Sequence, residues 1–207
     1  MARSEAFRPA RTAGPWLLLL VLASCATSPP EHPNDVCAIF EEKDDWYAAA
    51  RKAQRRWGVP VAVQMAIINR ESSFVDDARP PFEWFGPIPL GRPTTAYGYS
   101  QATDPTWERY LKSSGNGGAD RDDFGDAADF VGWYAHQSYT QLGIHKHDAY
   151  RQYLAYHEGQ GGYRRGTYRK KVWLLKAARS VDATAGRYRR QLAGCQAALD
   201  ASVDSDD

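Results

Sequence analysis

The chain has 207 residues, with 26 Lys and Arg against 25 Asp and Glu, for a formal net charge of +1. That balance produces no strong field, which argues against recognition of nucleic acid or of an anionic membrane by charge. Aromatic residues make up 13%, a level that serves a core or the stacking walls of a carbohydrate cleft, and counting does not separate the two.

At the start of the chain, Arg3, Arg8 and Arg11 precede an apolar run from Trp16 to Leu22 that is too short to span a bilayer. This is the pattern of a signal peptide over residues 1–24. Its end, Leu22-Ala23-Ser24-Cys25, resembles the lipobox of bacterial lipoproteins. The resemblance implies that Cys25 becomes the lipidated first residue; the alternative is an ordinary secretory signal with Cys25 incidental. Full acylation adds more than one chain, enough for stable anchoring. Ala26 in place of Asp after the cysteine resembles the sorting pattern of outer-membrane lipoproteins that face the periplasm. Residues 25–36, including Ser28-Pro29-Pro30-Glu31-His32-Pro33-Asn34, read as a flexible tether.

Residues 37–195 are one domain's worth of chain, long enough for a real core. Alternating β-branched runs are scarce, so the fold class is mainly α. A helix is predicted from Asp44 to Trp57 with Gly58 as its stop, and Pro60 suits the first turn of the next. From Asp76 to Thr95, seven prolines and glycines predict a long loop. With Phe82, Trp84, Phe85, Ile88 and Leu90 in it, the loop reads as a packed flap beside the cleft, an exposed linker being the alternative. Asp104-Pro105 opens another helix, and residues 116–122 form a turn. A long helix from Phe124 to Leu142 turns Phe130, Trp133, Tyr134 and Tyr139 mostly inward. Asp148 caps a helix through Tyr156 that Gly159, Gly161 and Gly162 break. A basic helical region from about Thr167 to Ala193 wraps the outside, and residues 196–207 read as an acidic disordered tail.

One carboxylate stands out. Val63, Ile67 and Glu71 fall four apart, so Glu71 continues the buried stripe of its helix. Desolvation there disfavours the charged form and raises the pKa, as a general acid near neutral pH requires.

Three segments then have to be taken together: Glu71-Ser72; Ala96-Tyr97-Gly98-Tyr99-Ser100-Gln101; and Ala155-Tyr156-His157-Glu158-Gly159. Their order and spacing resemble the lysozyme-like lytic transglycosylases of the SLT family, over about Trp46 to Tyr163. In that family a Glu-Ser pair ends a helix, a Gly-Leu-Met-Gln-like motif follows, and an Ala-Tyr-Asn-like motif closes the site. Here Tyr99 and Ser100 replace Leu and Met, and His157 stands where Asn is usual. The resemblance implies a lysozyme-like helical domain in which Glu71 is the catalytic acid and Tyr156 holds its carboxyl. It implies that Gln101 contacts substrate, with Ser72, Tyr99 and His157 at the same site. The implied partner is the glycan strand of peptidoglycan and the implied product a 1,6-anhydro sugar, formed by a monomer that uses no metal or cofactor. Two rivals stay open: a hydrolase of the same fold, and a catalytically inactive wall-binding lipoprotein.

Glu158 bears on the first rival, because a second carboxylate in the cleft would permit attack by water. The glycines that follow are expected to turn it to solvent or to Arg164. His145 and His147 are poor evidence of a metal site, and Asp120, Asp122, Asp123 and Asp126 fit a helix start better than a calcium loop. Cys37 and Cys195 sit near the two ends of the domain, where a bridge would close a loop of roughly 160 residues, worth on the order of 4 to 5 kcal/mol. Two unpaired thiols are the alternative.

Overall fold

The computed structural model describes residues 28–205, so Cys25 and the signal-peptide region lie outside the described residues. The described chain is mainly helical, in keeping with a lysozyme-like SLT domain. Seven α-helices and one hairpin follow in the order α1 (Val36–Glu42), α2 (Asp44–Trp57), α3 (Val61–Ser72), β1 (Glu83–Phe85), β2 (Ile88–Gly91), α4 (Asp104–Ser114), α5 (Phe124–Leu142), α6 (Ala149–Arg165) and α7 (Val172–Ser205). A 3-10 turn, Thr167–Lys170, links the last two.

Local chemistry sets these boundaries. In α2, Asp44 and Asp45 occupy the first turn and Arg55 and Arg56 the last, each opposite in sign to its end of the helix dipole. Gly58 at φ 70° ends it in the left-handed region. Pro60 is the extended N-cap of α3, and the free Val61 N–H donates to Gln54 Oε1 at 2.8 Å. Buried Gln64 donates its amide Nε2 to the carbonyls of Ala50 and Val59, which ties α3 to α2.

α5 occupies the centre, packed on α2, α3 and α6, while α7 covers α1, α3 and α6. Trp46 stacks on Phe124 with centroids 3.9 Å apart, joining α2 to the start of α5. Deeper in, Asp129 accepts from Arg56 at 2.9 Å, Trp57 Nε1 at 2.8 Å and the Tyr110 hydroxyl at 2.7 Å. Those three donors meet the condition on which a carboxylate can stay buried. A disulfide joins Cys37 in α1 to Cys195 in α7, with Cα atoms 6.2 Å apart.

Several expectations are corrected. Residues 83–91 are not an irregular packed flap but an antiparallel hairpin, with Phe85 opposite Ile88 and Trp84 opposite Pro89, and its large apolar side chains are exposed. Gly86, at φ 59°, and Pro87 make a turn short enough to pair the flanking residues despite the prolines. The flexible tether ends early. Pro30 is buried, and the Pro33 carbonyl accepts from Asn69 at 3.2 Å and from the Tyr188 hydroxyl. The acidic tail is helical to Ser205, because Asp200 accepts from the Tyr47 hydroxyl at 2.6 Å and pairs with Arg51 at 3.2 Å. Thr103 holds the N-cap position of α4 without a side-chain cap bond, so Asp104 is the first helical residue and not the cap. Tyr139 points outward, and α6 resumes after a single kink at Gly159.

Candidate active site

A groove of about 440 Å³ opens where the C-terminal end of α3, the start of α4, α5 and the middle of α6 converge. Its walls include Glu71, Gln101, Tyr134, Tyr156, His157 and Glu158. Thus four of the residues singled out from the motifs, Glu71, Gln101, Tyr156 and His157, share one groove with Glu158, while Ser72 and Tyr99 do not line it.

Glu71 enters from the last turn of α3. Its Oε1 is covered and has no hydrogen-bond partner. Burial pushes the acid up to about 7, against a hydrogen bond from Tyr153 and the charge of Arg70, both of which favour the carboxylate. Just beyond it, Ser73 at φ 53° and Phe74 at φ 63° occupy the left-handed region, and Gln101 does so at φ 51° across the groove. These are the three non-glycine residues of positive φ among those described, and they gather where strain is commonly stored for function.

The second motif is held by backbone. Gly98, at φ 74°, packs so tightly that a Cβ would lie 2.0 Å from the Arg121 carbonyl oxygen. Gln101 Nε2 donates to the carbonyls of Ala78 at 2.8 Å and Gly98 at 2.9 Å. Both amide protons are thereby spent on the loop, which leaves the amide oxygen for a ligand. Tyr99 is a core residue, edge-on to Trp46 and Phe124. Ser72 is buried and donates to the Ile68 carbonyl of its own helix at 3.3 Å. Helix periodicity turns it a full side-step away from Glu71.

The third motif departs from expectation in two contacts. The Tyr156 hydroxyl donates to the Ser100 carbonyl at 2.6 Å, so it ties α6 to the second motif, and Tyr153 is the tyrosine whose hydroxyl favours the ionised acid. Tyr153 and Tyr156 are three apart on one face of α6, and it is the earlier one whose hydroxyl lowers the pKa of the acid. Burial, followed by the proximity of Glu71, pushes both hydroxyls well above the ordinary value, so they remain neutral donors. Glu158 turns neither to solvent nor to Arg164. Its side chain is 4% exposed and pairs with Lys171 at 2.6 Å, with further contacts from Thr167 and from His157 Nδ1 at 3.2 Å. Burial raises its pKa, but these partners outweigh burial and hold the carboxyl below the usual range. Arg164 instead donates to the Gln141 carbonyl at 3.3 Å.

Among the described residues no group of three or more His, Cys, Asp and Glu is arranged to hold a metal ion. Asp123 and Asp126 serve the start of α5: the first caps it, and the second accepts from Asn116 and from the Asp120 N–H. A smaller cavity of about 180 Å³ between α2, α3 and α7 has no carboxylate in its lining. Sequence reasoning missed Tyr153 and Lys171, although the spacing of Tyr150, Tyr153 and Tyr156 on one helix marks Tyr153 as a candidate.

Comparison with known protein families matches the chain to the transglycosylase SLT domain family over residues 15–195. Among the curated proteins and the solved structures nothing matches. The family match spans most of the chain and all three groove motifs, and the chain belongs to the transglycosylase SLT domain family.

Proposed function

We propose that this protein cleaves the β-1,4 bond between N-acetylmuramic acid and N-acetylglucosamine of peptidoglycan, with Glu71 as sole acid and base, and leaves 1,6-anhydromuramoyl ends. Family membership carries the coarser activity, that of a peptidoglycan lytic transglycosylase. The finer reading is carried by one observation: of the two carboxyls on the groove wall, only Glu71 is in a state to hold a proton near neutral pH.

In this mechanism Glu71 gives its proton to the glycosidic oxygen as the bond to C1 breaks, which releases the N-acetylglucosamine hydroxyl. The resulting carboxylate takes the proton of the muramoyl 6-hydroxyl while that oxygen closes on C1. No water is consumed, and Glu71 is protonated again at the end. A hydrolase would need a second carboxylate to activate water, and Glu158 is committed to Lys171, Thr167 and His157. We assign Cys25 as the acylated residue that anchors the protein to the outer membrane, facing the periplasm. The lipobox-like Leu22-Ala23-Ser24-Cys25 supports this reading.

Mass spectrometry of digested sacculi tests the chemistry. Anhydromuropeptides are expected; reducing ends that have gained water would move the assignment to the hydrolase, and no digestion by the active-site-intact protein would favour a wall-binding lipoprotein.

A further inference from the structure

Beyond Glu83, the tip of the β1–β2 hairpin is apolar on both sides. Trp84 is 62% exposed, Phe85 74%, Ile88 58% and Leu90 63%, and no charged residue falls between Trp84 and Gly91. Side chains alternate across a strand. By the register, Trp84 and Pro89 share one side, together with Phe82, whose ring lies 6.4 Å from that of Trp84. Phe85 and Ile88 fall on the other, and Leu90 is the extra, exposed residue at the bulge. A hairpin that lies flat on a protein or a glycan needs one apolar side only.

We infer that the tip of this hairpin inserts into the surface of a lipid bilayer. An apolar medium that surrounds the tip satisfies both sides at once. Pro87 and Pro89 remove two backbone N–H donors from the part that would be desolvated, which lowers the cost of burial there. Indole favours the interfacial depth that Trp84 would reach. Arg92 and Arg79, which flank the apolar segment in sequence, lie over the Phe82 ring at 4.7 Å and the Tyr97 ring at 4.4 Å, and such cations suit a headgroup layer.

Two alternatives fit less well. Pairing with a second copy through a strand edge is blunted by the prolines of β2 and by the bulge at Glu83 and Trp84. Stacking on a sugar leaves Ile88 and Leu90 unexplained.

Delivery to a membrane rests on the reading of Cys25 as acylated. Pro33 bonds Asn69, and Asn34 shares a small cavity with Ser73, so the N-terminal segment meets the fold at the end of α3 from which the chain runs on to the hairpin. Cys25 lies eight residues before Pro33, a reach of at most ~28 Å. An anchor there keeps the hairpin beside the bilayer. Insertion would also orient the groove, because Ala78, at the hairpin's base, accepts from Gln101.

The test uses the full acylated protein in phosphatidylethanolamine and phosphatidylglycerol vesicles in which some acyl chains carry bromine just below the headgroups. Bromine is expected to quench part of the tryptophan emission, and that part should vanish in Trp84→Phe but persist in Trp173→Phe. Equal quenching in the wild type and Trp84→Phe overturns the inference. So does a tip-dependent dimer in sedimentation without Trp84 quenching, which assigns the tip to a second copy. Mass analysis of Cys25 in the same sample separates the two readings. Acylated protein without Trp84 quenching defeats insertion alone, whereas an unmodified Cys25 defeats the anchor alone and leaves the quenching to decide on insertion.

Discussion

The Tyr153 hydroxyl favours the ionised form of the Glu71 carboxyl, against the burial that keeps the proton on. Burial, opposed by Tyr153 and by the charge of Arg70, sets the acid at about 7 and is the largest of the three effects. Removing the hydroxyl in Tyr153→Phe raises that value further, so the alkaline limb of the kcat profile is expected to move to higher pH. Tyr156→Phe, which removes the bond to Ser100 instead, should lower stability by about 1 to 3 kcal/mol. An alkaline limb unmoved in Tyr153→Phe would contradict this pairing.

Glu71→Gln removes the proton that the reaction transfers. Activity on purified wall is expected to fall by roughly 100- to 10,000-fold, read as the rate of soluble muropeptide release.

The same substitution should stabilise the fold at neutral pH. Glu71 titrates at about 7 in the fold against an ordinary 4.5, so the native state binds its proton more tightly than the unfolded chain does. Its contribution is full below about 4.5, declines from there to about 7, and above that is lowered by on the order of 3 kcal/mol. Compared by thermal denaturation, E71Q and wild type should differ little at pH 4 and most at pH 8. A constant difference across that range would contradict the burial of the carboxyl.

Glu158→Gln discriminates between one acid and two. It weakens the tie to Lys171 and leaves Glu71 in place, so the anhydro product should persist with less than about a tenfold loss of rate. A loss equal to that of Glu71→Gln, with water in the products, would make Glu158 a participant.

The Cys37–Cys195 bridge closes a span of 158 residues. In the chain-entropy account that is worth about 5 kcal/mol. Dithiothreitol should therefore lower the midpoint of thermal unfolding, and Cys37→Ser with Cys195→Ser should reproduce the drop without reductant.

Helices announced themselves where punctuation and periodicity agreed: Gly58 and Pro60 around α2 and α3, Asp123 and Gly143 around α5. The acid was legible for the same reason, since Val63, Ile67 and Glu71 share a stripe. Tertiary choices were not. Which of two tyrosines on one face of α6 tunes Glu71 depends on how α6 packs, and Tyr99 went to the core because Trp46 and Phe124 provide an aromatic socket for it. The hairpin escaped notice because prolines mask strand propensity, and the acidic end folds because Tyr47 and Arg51, far back in sequence, receive Asp200.

Because the sulfur link encloses the stretch from Cys37 to Cys195, every groove-lining side chain belongs to one covalent ring. A protease that nicks the protruding hairpin would leave both fragments attached to each other. Such clipped molecules would migrate as one species on a non-reducing gel and as two after reduction, and the cut would not by itself release the half that carries Glu71 from the half that carries Tyr153.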